Sequence, residues 1–187
     1  ELHIERGWRR GVVGNIYKGK VQRVMPGMQA AFVDIGLDRA AFLHANDIFR
    51  SAQLDAGESD DAPAATPVQV QVPITELLRD GAEIVVQVVK DPIGSKGARL
   101  TTQISIPSRY LVLLPRSRVV GVSARIEGDD ERARLKALLA ELAAPGNTHG
   151  YIVRTNAEGQ PAEALAEDIA YLGRVWRLVE DTAAGAS

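Results

Sequence analysis

Apolar and polar residues alternate along much of residues 11–103, which is the two-residue period of β-strands. The stretch GNIYKGKVQRVMPGMQAAFVDIG predicts two strands joined at Pro26-Gly27, and RAAFLH predicts a third. After a short helical turn in ITELLRDG, the stretches EIVVQVVKD and GSKGARLTTQISI predict two more. Five short strands with a helical turn before a late strand predict a small OB-type barrel over about residues 11–103.

The pattern changes after residue 103. The stretches RYLVLLP, VVGVSARI and GYIVRT predict strands, and GDDERARLKALLAEL predicts a helix with Asp129 and Asp130 as candidate N-terminal caps. Apolar residues in the last segment recur in steps of four and three, as on one face of a helix. Residues 104–187 are therefore predicted to form a separate α+β unit.

Two of the three phenylalanines of the chain, Phe32 and Phe42, flank one tight turn. Strand side chains alternate between faces, so the core is expected to take Val33 and Ile35 and to leave Phe32 on the opposite face. The same alternation leaves Phe42 there too, with small alanines nearby. Accessible rings of this kind stack on bases of single-stranded nucleic acid, at ~1–3 kcal/mol per base. Packing under a loop remains open as the alternative, because periodicity does not separate the two interpretations.

Charge is segregated along the chain, although the total is only −2. Residues 1–50 and 86–127 carry net charges of +3 and +5, and the acidic residues 51–85 lie between them. A polyanion needs only a local basic face, so the near-neutral total does not exclude nucleic acid. Five cations are candidates for phosphate contacts around the two rings: Lys18, Lys20, Arg23, Lys90 and Lys96. Gly94 and Gly97, on either side of Lys96, are expected to let a ligand approach the backbone closely.

Other compositional features narrow the class of protein. The chain has no run of 18 uncharged apolar residues, so we predict no membrane span. It has no cysteine, which excludes disulfides and cysteine-bound zinc and fits a cytoplasmic protein. The first residue is Glu1 and an alternating pattern is already under way there, so we interpret the chain as an excerpt of a longer protein. The small, acidic residues 51–66 predict a solvated loop.

Long stretches of the chain resemble the ribonuclease E/G family, and most nearly its G branch. The resemblance rests on NIYKGKVQRVMPGMQAAFVDIGLDRAAFLHANDI, VQVVKDPIGSKGARLTT, and RYLVLLP, VGVSARIEGDDER and YIVRTNAEG, and it omits only residues 51–73. It implies an OB-fold domain of the ribosomal-protein-S-one type at 11–103, with 51–73 as a loop excursion. It also implies an α+β domain that senses the RNA 5′ end at 104–187, and the edge of an RNase-H-like platform at 1–10.

The resemblance also implies residue roles. The two aromatics and the lysine of the Gly-x-Lys-Gly turn, Phe32, Phe42 and Lys96, would bind single-stranded RNA. A 5′-monophosphate pocket would contain Arg154 and Thr155, although an arginine-threonine pair alone more simply indicates a surface salt bridge. Three further candidates complete that pocket: Ser108, Val112 and Arg125. Ser108 stands where the E branch has glycine, and Arg125 is equally explained as a partner of the aspartates at 129 and 130.

The family resemblance places cleavage elsewhere. It implies a later nuclease domain that holds Mg²⁺ with carboxylates, and a homo-oligomeric parent protein. In this chain, Asp34, Asp38 and Asp47 are interpreted as turn and surface residues, and His3, His44 and His149 show no ligand spacing. We therefore expect no metal site, no cofactor and no catalysis here. The predicted function is RNA binding within a cytoplasmic endoribonuclease of RNA processing and decay; the alternative is a non-catalytic RNA-binding module.

Overall fold

The computed structural model describes residues 11–49, 72–94, 96–143 and 148–185. The predicted platform edge at 1–10 and nearly all of the predicted excursion at 51–73 lie outside these residues. Contacts divide the chain into two compact units, and the division falls between Gln103 and Ile104. No helix among the described residues is both long enough and apolar enough to cross a bilayer.

The first unit is a closed five-stranded barrel, which confirms the predicted OB-type fold. Its elements are β1 (Ile16–Met25), β2 (Ala30–Asp34), β3 (Ala41–His44), the one-turn helix α1 (Ile74–Leu77), β4 (Glu83–Lys90) and β5 (Arg99–Thr101). The strand order around the barrel is β1-β2-β3-β5-β4. The β3–β5 pair is parallel and the other pairs are antiparallel.

The core of the barrel is made by one face of every strand. On β2 and β3, Val33 and Leu43 are completely buried, as are Ala31 and Ala41. Burying a large aliphatic side chain of this kind stabilises the fold by roughly 1.5–3 kcal/mol. The other strands contribute buried residues of the same kind: Val21, Val86, Val88 and Leu100.

Gly97 is required by the packing of the barrel, a need for glycine that is separate from its predicted role in ligand approach. A Cβ at this position would lie 1.9 Å from the carbonyl oxygen of Ala40. The segment leading into β5 therefore rests directly against the backbone at the start of β3, and only glycine fits. Gly94 differs, because its φ of +56° belongs to the left-handed conformation of a tight turn.

The second unit is an α+β fold, as predicted. Its elements are β6 (Ile106–Pro107), β7 (Leu111–Leu114), β8 (Val120–Val122), α2 (Asp129–Leu142), β9 (Gly150–Val153) and α3 (Ala162–Gly185). The sheet has the order β6-β7-β9-β8, in which β8 runs parallel to β9 and the other pairs are antiparallel. Leu111, Leu113, Tyr151 and Val153 share its buried face.

Both helices bury an apolar stripe, but one detail of the sequence prediction is wrong. The cap of α2 is Gly128, and Asp129 and Asp130 are the first two helical residues. Their carboxylates still lie at the positive end of the helix dipole, which favours them electrostatically. On α3 the predicted stripe is present, with Leu165, Leu172 and Trp176 buried.

Candidate nucleic-acid interface

The strand register of the barrel brings aromatic and cationic residues into one row on the outer face. Arg23 on β1 lies opposite Phe32 on β2, which lies opposite Phe42 on β3. Phe42 in turn pairs with Arg99 on β5, and Arg99 pairs with Lys90 on β4. Neighbouring strands are about 4.8 Å apart, so the two arginines flank the two rings across about 14 Å. We call these five residues the outer row.

The two rings of the outer row lie opposite the core face, which confirms the predicted orientation. Their centroids are 6.2 Å apart and their planes make an angle of 69°, an edge-to-face arrangement. Both side chains are half-buried, so each keeps part of its surface accessible. His44 extends the surface along β3, with its ring 6.4 Å from that of Phe42. His44 was not among the predicted binding residues, although it shares a strand face with Phe42 in AFLH.

Arg99 was also missed, and its placement depends on contacts that are distant in sequence. Its Nη2 and Nε donate to the same Asp47 carboxylate oxygen at 2.9 and 3.1 Å. This ion pair fixes the guanidinium of a residue that is paired with Phe42 in register, and it gives Asp47 a structural partner. Arg23 reaches the row because a β-bulge between Val21 and Arg23 shifts the register of β1.

The predicted lysines are distributed unevenly around the outer row. Lys18 is ion-paired with Glu83 on β4 at 3.0 Å, which reduces its availability to a phosphate. Lys20 is exposed, but it lies opposite Asp34 on one side and Glu83 on the other. Lys90 is exposed at the end of the outer row itself. The two lysines of β1, Lys18 and Lys20, therefore lie next to carboxylates, whereas Lys90 belongs to the outer row itself.

Lys96 lies in a turn that is tied to the β2–β3 connection. Ile93 and Lys96 exchange backbone hydrogen bonds at 3.0 and 3.2 Å across that turn. The Arg39 guanidinium donates to the carbonyl oxygen of Gly94 and joins the two connections. Lys96 is exposed and is followed closely by Ala98, whose carbonyl accepts the Phe42 N–H at 2.7 Å. The turn is therefore fixed beside the strand that carries one of the two rings.

Three of the remaining aspartates and histidines that were considered as metal ligands have structural partners. Asp34 accepts the Gly36 N–H at 2.9 Å and the Gln22 side-chain amide at 3.3 Å. His44 Nδ1 accepts the Asn46 N–H at 3.2 Å. His149 packs edge-on against Trp176. His3 lies outside the described residues, and Asp38 is exposed in the turn after β2.

In the second unit, the structure joins Arg154 directly to Ser108. Arg154 follows β9, and its guanidinium donates to the Ser108 carbonyl oxygen. Its backbone N–H donates to the Tyr110 carbonyl at 2.8 Å. No ion pair involving Arg154 occurs among the described residues, so the salt-bridge alternative has no support there. The exposed guanidinium keeps donors for a further acceptor.

Thr155 and Arg125 lie near the end of β9 that Arg154 follows, and Val112 lies on the neighbouring strand β7. Thr155 begins a single 3₁₀ turn directly after Arg154. Arg125 is exposed in the turn after β8, which reaches this end of β9 because Ser123 donates to the Val153 carbonyl at 2.9 Å. Within the described chain no ion pair links Arg125 to the aspartates of α2. Val112 lies on the less buried face of the sheet, opposite Ile152.

The backbone of Ser108 is already engaged, which changes how this residue can act. Its N–H donates to the Leu111 carbonyl at 2.8 Å, and its own carbonyl accepts from Arg154. The N–H could donate to a phosphate oxygen only if its bond to Leu111 were broken. Ser108 is thus placed to hold Arg154.

An ion pair fixes the chain just beyond this end of β9. Glu131 on α2 bonds to Arg134 at 2.7 Å through both carboxylate oxygens, and one of them accepts the Gly159 N–H at 2.9 Å. Arg134 also donates to the Gln160 carbonyl at 3.2 Å. The bond to Arg134, followed by the bond from Gly159, lowers the pKa of Glu131 from 4.5 to about 2. The connection that follows Arg154 is thereby attached to α2.

Acid is expected to remove the stabilising contribution of Glu131. Because its pKa is lower in the folded protein, the contribution is complete above the ordinary value of 4.5 and is lost as the pH falls toward 2. The free energies of unfolding of wild type and Glu131→Gln should therefore differ at pH 6 and converge near pH 2. Glu141→Gln, an exposed position near the other end of α2, is the matched control. A difference that stays constant between pH 6 and pH 2 would contradict the assignment.

Each of the two units matches a known protein family. Residues 12–90 match the S1 RNA binding domain, and residues 105–187 match the Ribonuclease E/G family. The chain therefore combines an S1 RNA-binding domain with a domain of the ribonuclease E/G family, and the predicted family is confirmed.

Among individual proteins, the chain is similar to ribonuclease G of Escherichia coli (strain K12). The two are 56% identical over 179 residues, which is 96% of this chain and 35% of that protein. Ribonuclease E of the same strain is 41% identical over 184 residues, which is 98% of this chain and 16% of that protein. The chain thus spans about a third of the length of its ribonuclease G relatives.

A solved structure of an a/eIF2alpha–aDim2p–rRNA complex from Pyrococcus horikoshii OT3 also matches. Its identity to this chain is 16% and the TM-score is 0.34, with 72% of this chain and 62% of that chain covered. At this TM-score the similarity is too low to indicate a shared fold or function.

Proposed function

We propose that this chain is the substrate-binding part of a ribonuclease G-type endoribonuclease, in which two sites hold one RNA. The barrel binds single-stranded RNA across the outer row, and the second unit binds a 5′ monophosphate at Arg154. The observation that carries the proposal is the register that aligns Phe32 and Phe42 between Arg23 and Arg99. The family match supports the same conclusion for the whole chain.

The chemistry of the outer row suits single strands. Bases in a duplex are stacked on each other, whereas unpaired bases can stack on protein rings regardless of their identity. Arg23 at one end can contact a phosphate of the stacked strand, and at the other end Arg99 can do so with the donors that its bonds to Asp47 leave over. The ribose and phosphate backbone would then cross the strands of the barrel.

The site at Arg154 would give a preference for RNA that carries a 5′ monophosphate. A guanidinium presents donors in a planar fork, which fits the oxygens of a terminal phosphate. Thr155 adds a hydroxyl next to it. A triphosphate would bring more bulk and charge to this site, so we expect it to bind less well than a monophosphate. Holding RNA at two points raises its effective concentration at a cleavage site.

Cleavage itself is assigned to a nuclease domain beyond these residues, where carboxylates would hold Mg²⁺ and polarise the scissile phosphate. The same proposal places the parent protein in the cytoplasm as a homo-oligomer. The residues described here bind and orient the RNA.

Binding of defined oligonucleotides by the 187-residue chain tests the proposal. A single-stranded RNA with a 5′ monophosphate should bind more tightly than the same RNA with a 5′ hydroxyl, and both more tightly than a blunt duplex. The logarithm of the affinity should fall with that of the salt concentration, with a slope of about −0.7 per phosphate contacted. Binding that persists without any preference between the two ends would support a non-catalytic RNA-binding module. Equal affinity for single strand and duplex would refute the outer row as the site.

A further inference from the structure

The conformation of Arg154 depends on a tight turn between β6 and β7. The turn comprises residues 108–111. Arg154 is attached to it twice, by its backbone N–H to Tyr110 and by its guanidinium to Ser108. A change in this turn would therefore move the side chain that is proposed to bind the terminal phosphate.

A single carboxylate on α3 holds this turn. Oδ2 of Asp168 accepts the backbone N–H groups of Tyr110 and Leu111, each at 3.0 Å, and the hydroxyl of Ser108. The Ser108 hydroxyl also lies 2.9 Å from the Leu111 carbonyl. It has only one hydrogen to donate, and the charged acceptor makes the stronger bond. Three donors thus converge on one oxygen.

The position of Asp168 explains why a carboxylate is used. Asp168 is half-buried and belongs to a helix of 24 residues, so its backbone is a rigid point of attachment. Its negative charge is offset by the three donors, which reduces repulsion of an anion bound nearby. Bonds to an ionised acceptor are roughly twice as strong as bonds between neutral groups.

We propose that Asp168 is a positioning residue for the phosphate site: through the 108–111 turn it sets the orientation of the Arg154 guanidinium. This role rests on the proposed 5′-monophosphate binding. Asp168 does not contact the RNA itself. Ser108 connects the two residues. Its hydroxyl donates to Asp168, and its carbonyl oxygen accepts from the Arg154 guanidinium.

Asp168→Asn is the test, because it keeps the shape of the side chain and removes the charge. Affinity for 5′-monophosphorylated single-stranded RNA should fall about tenfold, by analogy with the roughly 10–100-fold losses caused by replacing residues that orient metal ligands. Affinity for the 5′-hydroxyl RNA should stay at the wild-type value. A role in folding alone would lower both affinities together.

Glu167→Gln is the matched control, since it makes the same chemical change on the adjacent residue. Its side chain is exposed and forms no hydrogen bond among the described residues. It should leave both affinities unchanged. In the Arg154→Ala background, Asp168→Asn should produce no further loss, because its effect passes through Arg154.

Each outcome decides the question. Unchanged affinity for the monophosphorylated RNA in folded Asp168→Asn, with wild type still preferring that end, would overturn the role of Asp168 alone. If wild type shows no preference for the monophosphorylated end, the phosphate site is refuted, and the role of Asp168 with it.

If Asp168→Asn does not fold, Ser108→Ala is the second test. It removes only the hydroxyl donor and should lower the affinity for the monophosphorylated RNA about threefold, as expected for one hydrogen bond. Unchanged preference in that variant would also overturn the proposal.

Discussion

Replacing Phe32 and Phe42 together by alanine is expected to weaken single-stranded RNA binding by about thirtyfold or more. Each base stacked on an aromatic ring is worth ~1–3 kcal/mol, and ~1.4 kcal/mol corresponds to a factor of ten. The two rings are neighbours in register, so one RNA would lose both stacking partners. Affinities from fluorescence anisotropy with a short single-stranded RNA measure the effect.

The two substitutions should leave the fold of the barrel intact. Both rings lie opposite the core face, so the barrel should remain folded. The loss of stability combines about 0.5–1.5 kcal/mol from the edge-to-face pair with the loss of the apolar surface that each half-buried ring covers. Tyr171→Ala is the control, because it removes another aromatic side chain, 51% exposed, from the second unit. Wild-type affinity in a folded double variant would refute stacking on the outer row.

Arg154→Ala is expected to abolish the preference for a 5′ monophosphate over a 5′ hydroxyl. A hydrogen bond to a charged group contributes about 1.5–3 kcal/mol, so affinity for the phosphorylated RNA should fall by about ten- to a hundredfold. Affinity for the hydroxyl end should change little. The ratio of the two dissociation constants, measured on one RNA sequence, reports the effect directly.

Two further variants separate charge from geometry at this site. Arg154→Lys keeps the charge but loses the planar fork, so the preference should be reduced and still detectable. Arg177→Ala removes another exposed arginine, on α3, that forms no ion pair among the described residues, and it should preserve the wild-type ratio. A full preference in Arg154→Ala would place phosphate recognition elsewhere.

The sequence predicted the barrel because its strands alternate regularly and its turns contain glycine or proline. It also predicted the faces of Phe32 and Phe42, since orientation within a strand depends only on neighbours in the sequence. The α+β character of the second unit followed from the change of period after residue 103. In each case a local pattern was sufficient.

The parts that the sequence could not predict depend on residues that are distant along the chain. Arg99 joins the outer row through the parallel pairing of β3 with β5, and no local pattern encodes that register. Asp168 lies 60 residues from Ser108, in a helix whose periodicity indicated only its apolar face. The packing role of Gly97 could not be predicted for the same reason, because the backbone that excludes a Cβ there belongs to Ala40, which is distant in sequence.

The β-bulge in β1 has a consequence for how this strand can change during evolution. Gln22 and Arg23 are both exposed opposite the single residue Phe32, while Val21 and Val24 keep to the core side. Deleting Gln22 would restore regular pairing and leave every other side chain on its present face. Deleting Arg23 would restore the pairing too, but it would remove a cation of the outer row, and deleting a residue outside the bulge would exchange inside for outside over the rest of the strand. Gln22 is therefore the position in β1 where a descendant could lose a residue and keep both the core and the binding surface.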